Sequence, residues 1–536
     1  MEKIIGSCCA ATALLALVSS CTEEQKRPNI ICIVCEDISP MVGCFGDKVA
    51  VTPNLDEFSK SAIRFTNVHS NIGVSSPSRY ALITGRYPMA DGANYMRTLG
   101  SPDQKPEGVQ PYSVIVNPDV KCYTEYLRKA GYYCTNNAKT DYQFTIPATA
   151  WDECGTDAHW KNRPEGMPFF SIFNIEVTHE SRVWRRTNEK LSVNPSDIVV
   201  PPYYPDNDIV RHDMAVAYFN ITEMDKMFKK LVDELKEANV YDNTIIIWYS
   251  DNGGPLPHHK REIYDRGTNV PFMISFPDGY KAGSVSDRLV GFVDIPATIL
   301  SLAEIKAPDY MHGVPFLGKY ASKEERQYVY GGRDRLDECI DKQGYIRDKR
   351  YRYVRNYYPG TPVYLDVKFR LSMPMMNNIL ELNKESRLDS IQASFFDNKR
   401  LEEELYDLEK DPYELNNIVN DKSYSSVLER LRKDYDSWIE TYVPDWFIPE
   451  KDNIKRILPD GKQPFAAAPE FSMKDGLVTI CSQTEGASIN YRIVEENGNK
   501  GRWMIYSSPV QLKNNENIEA VSARIGYKNS KVVTFK

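Results

Sequence analysis

The sequence of 536 residues lacks several features that define common functional classes. No segment reaches the roughly 18 apolar residues that a transmembrane helix needs. Acidic residues outnumber basic ones by 74 to 66, so the chain lacks the basic field of a nucleic-acid-binding protein. The G-x-S-x-G pattern of the α/β-hydrolase serine is also absent. With 42% hydrophobic and 26% charged residues, the composition indicates an ordinary globular protein, long enough for one large domain and smaller units.

Cysteine is scattered along the chain rather than clustered. Wide spacing argues against a scaffold held by many disulfides. Cys32 and Cys35 form a C-x-x-C pair inside an apolar run, with no second pair of ligands for a metal. We therefore interpret them as small core residues. The cysteines that follow residue 21 are Cys32, Cys35, Cys44, Cys122, Cys134, Cys154, Cys339 and Cys481.

The N-terminal segment is typical of an export signal. Lys3 precedes an apolar run over residues 4–18, which is too short to span a membrane as a mature helix. Residues 17–21, LVSSC, resemble the lipobox of bacterial lipoproteins. This resemblance implies cleavage before Cys21, lipidation of Cys21, and a chain in the bacterial envelope that meets the membrane only through its lipid. A plain secretory signal is the alternative.

Short apolar runs alternate with helical patterns in the first 300 residues. Residues 29–34, 169–175 and 243–249 are rich in β-formers without polar alternation, as in strands buried on both faces. Residues 217–235 carry apolar side chains at spacings of three and four, which predicts a helix with one buried face. Strands that alternate with helices predict an α/β fold, with a catalytic domain over residues 27–309.

The pattern changes near residue 310. Residues 310–450 are predicted to form a smaller α+β unit, with a Tyr- and Arg-rich stretch at 327–358. Residues 451–469 contain several prolines and are predicted to be a linker. Residues 470–536 read as strands and turns, which predicts a small β-sandwich. It resembles the end modules of chitobiases and other glycan-degrading enzymes, and we assign no catalytic residue to it.

Residues 75–85, SSPSRYALITG, carry the strongest functional signal. Pro77 suits the first turn of a helix and Gly85 its C-terminal end. Ser75 is then at a helix N-terminus, where free N–H groups and the helix dipole favour an anion. Arg79 follows on the same face and can pair with two oxygens of a tetrahedral oxyanion. From these residues alone, a capped helix with an unrelated arginine is as well supported as an anion-binding site.

The same segment matches the signature of the type I sulfatases: Cys or Ser, any residue, Pro-Ser-Arg, four residues, Thr-Gly. The chain is therefore similar to the Ser-type members of this formylglycine-dependent family. The resemblance implies the alkaline-phosphatase-like fold, with a mixed, mostly parallel sheet. It also implies that a maturation enzyme oxidises Ser75 to formylglycine (3-oxoalanine). In hydrated form the aldehyde attacks sulfur with one hydroxyl and releases sulfate through the other.

Two acidic pairs follow predicted strands, Glu36-Asp37 and Asp251-Asn252. The carboxyl ends of strands are where α/β sheets bind ligands, and four oxygen donors suit calcium or magnesium. Each pair alone is more often part of a turn or a helix cap. Residues 27–29, before the first strand, and residues 250–253 resemble the two metal-binding segments of the sulfatases. This implies one Ca²⁺ bound by Glu36, Asp37, Asp251 and Asn252 with an oxygen of modified Ser75, although Glu36 stands where the family commonly has Asp.

Four further residues stand at family positions around the transferred sulfate, and three of them match the family's residue type. The resemblance implies that Lys139 and Lys260 bind the sulfate and that His179 protonates the leaving oxygen. Asp141 replaces the usual histidine of that segment and could orient or deprotonate the hydrate. Without the resemblance, these residues are ordinary solvated charges and a structural imidazole.

The segments at 92–98 and 332–335 resemble the sulfatase branch that contains heparan N-sulfatase (N-sulfoglucosamine sulfohydrolase). This implies that Arg97, Arg333 and Arg335 contact acidic groups of a sulfated glycan and that the enzyme cleaves a sulfate ester or a sulfamate. The predicted partners are a sulfated saccharide and the maturation enzyme, with no nucleic acid. The alternatives are a phosphatase or phosphonate ester hydrolase of the same superfamily, and a non-catalytic lipoprotein that binds sulfated glycans.

Overall fold

The computed structural model describes residues 27–513 and 515–536. The predicted lipidation site Cys21 and the predicted signal segment lie outside the described residues. Within the described ranges, no helix combines the length and apolarity needed to cross a membrane. The eight cysteines after residue 21 are all free thiols.

An eight-stranded sheet forms the centre of the molecule. Its strands are β1 (Asn29–Cys35), β2 (Ala62–His69), β3 (Tyr133–Asn137), β4 (Glu153–Cys154), β5 (Phe169–Ile175), β6 (Thr244–Ser250), β7 (Asn269–Ser275) and β8 (Val285–Gly291). They lie in the order β4-β3-β5-β1-β6-β7-β2-β8. Only β7 runs antiparallel to its neighbours, and the other pairs are parallel. The mixed, mostly parallel α/β fold is confirmed.

Helices pack on both faces of this sheet. Along β1, Ile30, Cys32 and Val34 join one core cluster, whereas the residues between them join the cluster on the opposite face. This explains why the strand lacks polar alternation. The helices are α1 (Pro53–Phe58), α2 (Ser75–Thr84), α3 (Tyr123–Lys129), α4 (Ser181–Arg185), α5 (Asp208–Glu237), α6 (Asp265–Thr268), α7 (Asp294–Leu302), α8 (Pro374–Lys384), α9 (Ser390–Ala393), α10 (Ser425–Tyr442) and α11 (Glu450–Ile457).

A second, antiparallel sheet follows the central one. Its strands are β9 (Val329–Arg333), β10 (Gln343–Arg347), β11 (Tyr351–Asn356) and β12 (Glu403–Asp407), in the order β12-β11-β10-β9. Helix α10 buries Leu431, Tyr435 and Trp438 in the main core. The Tyr- and Arg-rich stretch therefore forms strands of a sheet with a helix packed on it.

The C-terminal residues form a small module of two antiparallel sheets, as the sequence predicts. Its strands are β13 (Glu470–Lys474), β14 (Leu477–Cys481), β15 (Ser488–Val494), β16 (Met504–Ile505), β17 (Val510–Gln511), β18 (Asn517–Ala523) and β19 (Val533–Phe535). They pair as β13-β14-β17 and β16-β15-β18-β19. Val478, Ile480 and Ile518 fill the small core between them.

The C-terminal module is docked on the catalytic domain. Arg128 donates to the Asn490 side chain at 3.2 Å, and Arg524 donates to the Val116 carbonyl at 2.8 Å. Ile525 belongs to the main core of the molecule. At Gly486, a Cβ would lie 2.2 Å from the Pro118 carbonyl oxygen, so the two backbones are in close contact.

The predicted linker at 451–469 is not an open spacer, because it begins within helix α11. The Glu450 carboxylate at the start of this helix receives hydrogen bonds from Arg335 at 2.6 and 2.8 Å and from the Tyr112 hydroxyl at 3.0 Å. The prolines that predict a linker all follow helix α11. A helix of eight residues carries too few apolar positions to be recognised by periodicity.

Candidate active site

The predicted metal-binding pairs meet at one edge of the central sheet. Strands β1 and β6 are parallel neighbours with Cys35 opposite Ser250, so the residues that follow both strands lie side by side. The Asp251 amide donates to the Cys35 carbonyl at 3.0 Å. Asp37 accepts a hydrogen bond from the Asn252 side chain at 2.9 Å. All four predicted ligands are buried.

Ser75 lies at the same edge of the sheet. It is the first residue of α2, which ends at Gly85 in the left-handed conformation that glycine tolerates, with φ of 72°. The Ser75 hydroxyl donates to Asn252 Oδ1 at 3.2 Å. The helix start predicted from Pro77 and Gly85 is confirmed, and it brings the candidate nucleophile beside the acidic pairs.

Arg79 faces the carboxylates rather than an open oxyanion site. Its Nε donates to Asp251 at 2.9 Å, its Nη2 to Glu36 at 3.3 Å and its Nη1 to Asn174 at 2.6 Å. That Arg79 pairs with two oxygens of the transferred group stays a prediction. Buried between two carboxylates, the guanidinium fixes the position of the acidic pairs.

Two lysines complete the charge balance of the site. Lys139 pairs with Glu36 and lies 3.6 Å from Asp141, while Lys260 donates to Asp37 at 2.6 Å. Burial raises the pKa of Glu36 to about 7, with Asp251 adding to this effect and the positive charges of Lys139 and Arg79 opposing it. Three buried carboxylates thus face three cationic side chains.

The oxygen donors of the acidic pairs have the chemistry of a site for a divalent cation. In the described part of the chain, no three His, Cys, Asp or Glu side chains are arranged as a metal-binding group, since the carboxylates pair with cationic side chains. However, Glu36 Oε2 is buried without a hydrogen-bond partner. Carboxylate and amide oxygens are the donors that Ca²⁺ prefers, and an unpartnered buried carboxylate oxygen is costly unless a cation satisfies it. The residues present therefore fit such an ion.

His179 follows β5 and is neutral at pH 7. Burial lowers its pKa to about 2, with the charge of Lys260 as the next cause. Its Nδ1 accepts a hydrogen bond from the Ser181 amide at 3.2 Å, so the ring proton is on Nε2. This hydrogen bond fixes the tautomer and leaves Nε2–H as the donor.

A cavity of about 420 Å³ opens above Ser75. Five predicted site residues line it, namely Ser75, Arg97, Lys139, Asp141 and His179. Arg97 lies 3.3 Å from Asp337, and its guanidinium stacks 5.1 Å from the centre of the Phe369 ring. The other lining residues are Ser76, Met96, Leu99, Gly100, Gln104 and Gln143. The volume is within the range of about 300–1,000 Å³ typical of small-molecule pockets.

Arg333 and Arg335 do not face this cavity, which corrects the expectation drawn from residues 332–335. Arg333 is fully buried between Glu262 and Asp341. Arg335 forms the two hydrogen bonds with Glu450 and also donates to the Met96 carbonyl at 2.8 Å. Opposite charges elsewhere in the chain, which local sequence does not reveal, hold both side chains inside the protein.

Sequence reasoning missed several residues around the site. Glu180 and Arg261 form a buried ion pair with hydrogen bonds of 2.7 and 2.8 Å, directly next to His179 and Lys260 in the chain. Phe369 lies 6.3 Å from His179, ring centre to ring centre. Glu180 and Arg261 could have been found from the sequence because they are adjacent to His179 and Lys260. No feature of the sequence indicates Phe369.

The comparisons with known proteins define the class first. Solved structures that share the fold include BT1596, a 2-O GAG sulfatase (TM-score 0.58, 20% identity, 78% of this chain and 93% of that chain), and a phosphonate monoester hydrolase of Agrobacterium radiobacter (TM-score 0.55, 16% identity, 76% and 96%). With a serine at a helix start beside buried acidic pairs, the fold is that of the alkaline-phosphatase-like hydrolases.

Within that class, the chain belongs to the sulfatase family. The sulfatase family model matches residues 28–305, and the model for the C-terminal part of N-sulphoglucosamine sulphohydrolase matches residues 257–388. An ulvan-active sulfatase of Formosa agariphila is 39% identical over 95% of this chain and 91% of its own length. Human N-sulphoglucosamine sulphohydrolase is 24% identical over 83% and 95%. The chain is thus a sulfuric ester hydrolase.

Proposed function

We propose that this sulfatase acts on a sulfated glycan with formylglycine at residue 75 and one calcium ion. The position of Ser75 carries the proposal. Its hydroxyl is 3.2 Å from Asn252 Oδ1, at the wall of the 420 Å³ cavity and next to the buried carboxylates. The sulfatase signature around Ser75 supports oxidation of this residue.

Glu36, Asp37, Asp251 and Asn252 would hold the calcium ion. When present, formylglycine and calcium supply a nucleophilic oxygen and positive charge at the sulfate. The ammonium groups of Lys139 and Lys260 add positive charge on two sides of the acidic pairs. Arg79 keeps the Glu36 and Asp251 carboxylates in place through its two hydrogen bonds.

His179 is suited to the departing oxygen of the substrate. Its Nε2–H is a donor in the neutral ring, and it lines the cavity. An anionic sulfate bound nearby raises the pKa of an imidazole, because it stabilises the protonated form. The ring would first take up a second proton, and the resulting imidazolium would give its Nε2 proton to the sugar oxygen as the bond from that oxygen to sulfur breaks.

The substrate is proposed to be a sulfate ester of an ulvan-like polysaccharide rather than N-sulfoglucosamine. The support is the relative at 39% identity, which is ulvan-active, against 24% for the human N-sulphoglucosamine sulphohydrolase. Arg97 and Lys139 are both positive side chains of the cavity wall, and Arg97 would contact an acidic sugar.

The test is a sulfate-release assay on ulvan oligosaccharides and N-sulfoglucosamine, with mass spectrometry of the peptide that contains residue 75. We expect Ser75 to be two hydrogens lighter, and Lys260→Ala to lose sulfate release while it remains folded. Lys161→Ala, which removes an exposed ion pair with Glu234, is the control. Full activity of Lys260→Ala would refute the site. Faster cleavage of phosphonate or phosphate esters would favour the phosphohydrolase alternative, and an unmodified, inactive protein would favour a glycan-binding role.

We also propose that the chain is exported and anchored through Cys21. The lipobox-like sequence at 17–21 supports this. Cys21→Ala should shift the protein from the membrane fraction to the soluble fraction of its native host. An unchanged distribution would contradict the anchor.

A further inference from the structure

A second cavity of about 290 Å³ lies between the catalytic domain and the second sheet. Tyr87 follows α2, Asp294 begins α7, Tyr330 belongs to β9 and Tyr442 ends α10. None of its lining residues lines the cavity above Ser75. Junctions between packed units are common positions for small-molecule sites.

Aromatic rings form much of the wall of this cavity. His312 stacks on Tyr87 with ring centres 5.3 Å apart, and Tyr442 lies 5.1 Å from His312. Tyr330 stacks on Trp438 at 5.2 Å with an angle of 9°, so the wall is fixed by the core behind it. Tyr442 is 40% exposed, so its ring is accessible from solvent. Such rings offer flat apolar surfaces with polar tips.

Polar groups in the same cavity are held in fixed positions. Arg326 donates to Asp294 at 2.7 Å, and Asp294 also accepts from the Gly291 and Val314 amides at 2.9 and 2.8 Å. His312 Nδ1 accepts from the Tyr87 amide at 3.1 Å. Burial, followed by the charge of Arg86, lowers the pKa of His312 to about 3, so its Nε2–H is a donor at neutral pH.

The charges of the lining select the class of ligand. Arg288 and Arg326 are opposed by Asp294, Glu324 and Glu325, and His312 is neutral, so the lining has no positive excess for an anion. A purely apolar ligand would displace water from the remaining N–H groups of His312 and Arg326 without replacing its hydrogen bonds. A hydroxyl-rich, uncharged ring satisfies both the aromatic surfaces and the hydrogen-bonding groups. The volume is at the lower limit of about 300 Å³ for ligand pockets, which suits a single sugar unit.

We propose that this cavity is a second saccharide site, which binds an uncharged sugar unit of a glycan independently of the sulfate-cleaving site. The Tyr442 ring covers one face of the sugar, and the His312 and Arg326 groups bind its hydroxyls. The site adds a contact with the polymer away from the bond that is cut.

The test is affinity electrophoresis of the full chain in gels that contain chemically desulfated ulvan. We expect retardation of the unmodified protein and a dissociation constant about tenfold higher for Tyr442→Ala, with most of the binding restored in Tyr442→Phe. Tyr280→Ala is the matched control, because Tyr280 is 45% exposed and does not line the cavity. Thermal melting of each variant verifies the fold.

Equal retardation of Tyr442→Ala and the unmodified protein would overturn the proposal. The proposal would also be overturned if the protein were strongly retarded in native ulvan but not in desulfated ulvan, because binding would then depend on sulfate. Both outcomes leave the proposed function intact, since that is measured by sulfate release.

Discussion

Replacing Arg335 by methionine tests how the wall of the active-site cavity is held. Arg335 connects three parts of the chain: its Nε and Nη2 bind Glu450 of α11 at 2.6 and 2.8 Å, and its Nη1 binds the Met96 carbonyl at 2.8 Å. The Met96 amide in turn donates to the Arg335 carbonyl at 3.0 Å. Arg97, which lines the cavity, is the next residue.

The magnitude follows from burial. Only 2% of the Arg335 side chain and 8% of the Glu450 side chain are exposed. Removal of one partner from a buried ion pair costs about 3–5 kcal/mol, because the other charge stays buried and unpaired. Glu450 keeps the hydroxyl of Tyr112, so we expect a value near the lower limit, about 3 kcal/mol. A shift of about 1 Å in a positioning group can lower the rate by about 100-fold, so kcat/KM should also fall, mainly through KM for the acidic substrate.

The assays are urea unfolding and sulfate-release kinetics. Arg335→Met/Glu450→Leu should recover part of the stability lost in the single variant, because it removes the unpaired charge. Arg456→Met is the control on the same helix, since its pair with Asp445 is half-exposed and worth about 0–1 kcal/mol. A single variant within about 0.5 kcal/mol of the unmodified protein would refute the argument. Lost stability with unchanged KM would show that Arg335 is structural and does not position Arg97.

Three further predictions concern metal, pH and the C-terminal module. Removal of calcium with a chelator should lower the melting temperature, because an ion at about 100 times its Kd stabilises the folded state by about 2.7 kcal/mol. Identical melting curves with chelator and with calcium would contradict the proposed ligands. Burial raises the pKa of Asp341, but Arg333 and Arg400 outweigh this and hold it below its ordinary value. The ionised Asp341 carboxylate therefore stabilises the fold at neutral pH, and this stabilisation is lost as the pH falls through the folded-state pKa. The difference in unfolding free energy between Asp341→Asn and the unmodified protein should shrink in acid. A difference that stays constant with pH would contradict this. Gly486→Ala should weaken docking of the module and speed its proteolysis, because the added Cβ would meet the Pro118 carbonyl. Gly498→Ala is the control: Gly498 has a similar positive φ, but a Cβ there would contact no other atom, so this variant measures the backbone strain alone.

The central fold and the placement of Ser75 could be predicted from sequence because both depend on local signals. Strand β1 is an uninterrupted apolar run, and Pro77 and Gly85 mark the two ends of α2. In a parallel sheet the carboxyl ends of neighbouring strands meet at one edge, which predicts that Glu36 and Asp251 lie close together there. Each of these inferences needs only the period of the side chains or a turn residue.

The directions of the charged side chains could not be predicted in the same way. Arg333 and Arg335 are in an exposed-looking, polar stretch, yet their partners Glu262 and Glu450 are about 70 and 115 residues away in sequence. Arg79 binds Asp251 and Glu36, which reach it only when β1 and β6 are side by side. Such partners are a property of the tertiary structure.

The docking of the C-terminal module connects residues that perform no chemistry with the wall of the active-site cavity. Arg524 binds the Val116 carbonyl, the Val114 amide binds the Gln143 carbonyl, and the Gln143 side chain binds the Thr98 amide beside the cavity. A variant that ends before Arg524 would keep every residue proposed to perform chemistry. It would lose the contact with the Val116 carbonyl, and with it one support of the Gln143 segment beside the cavity.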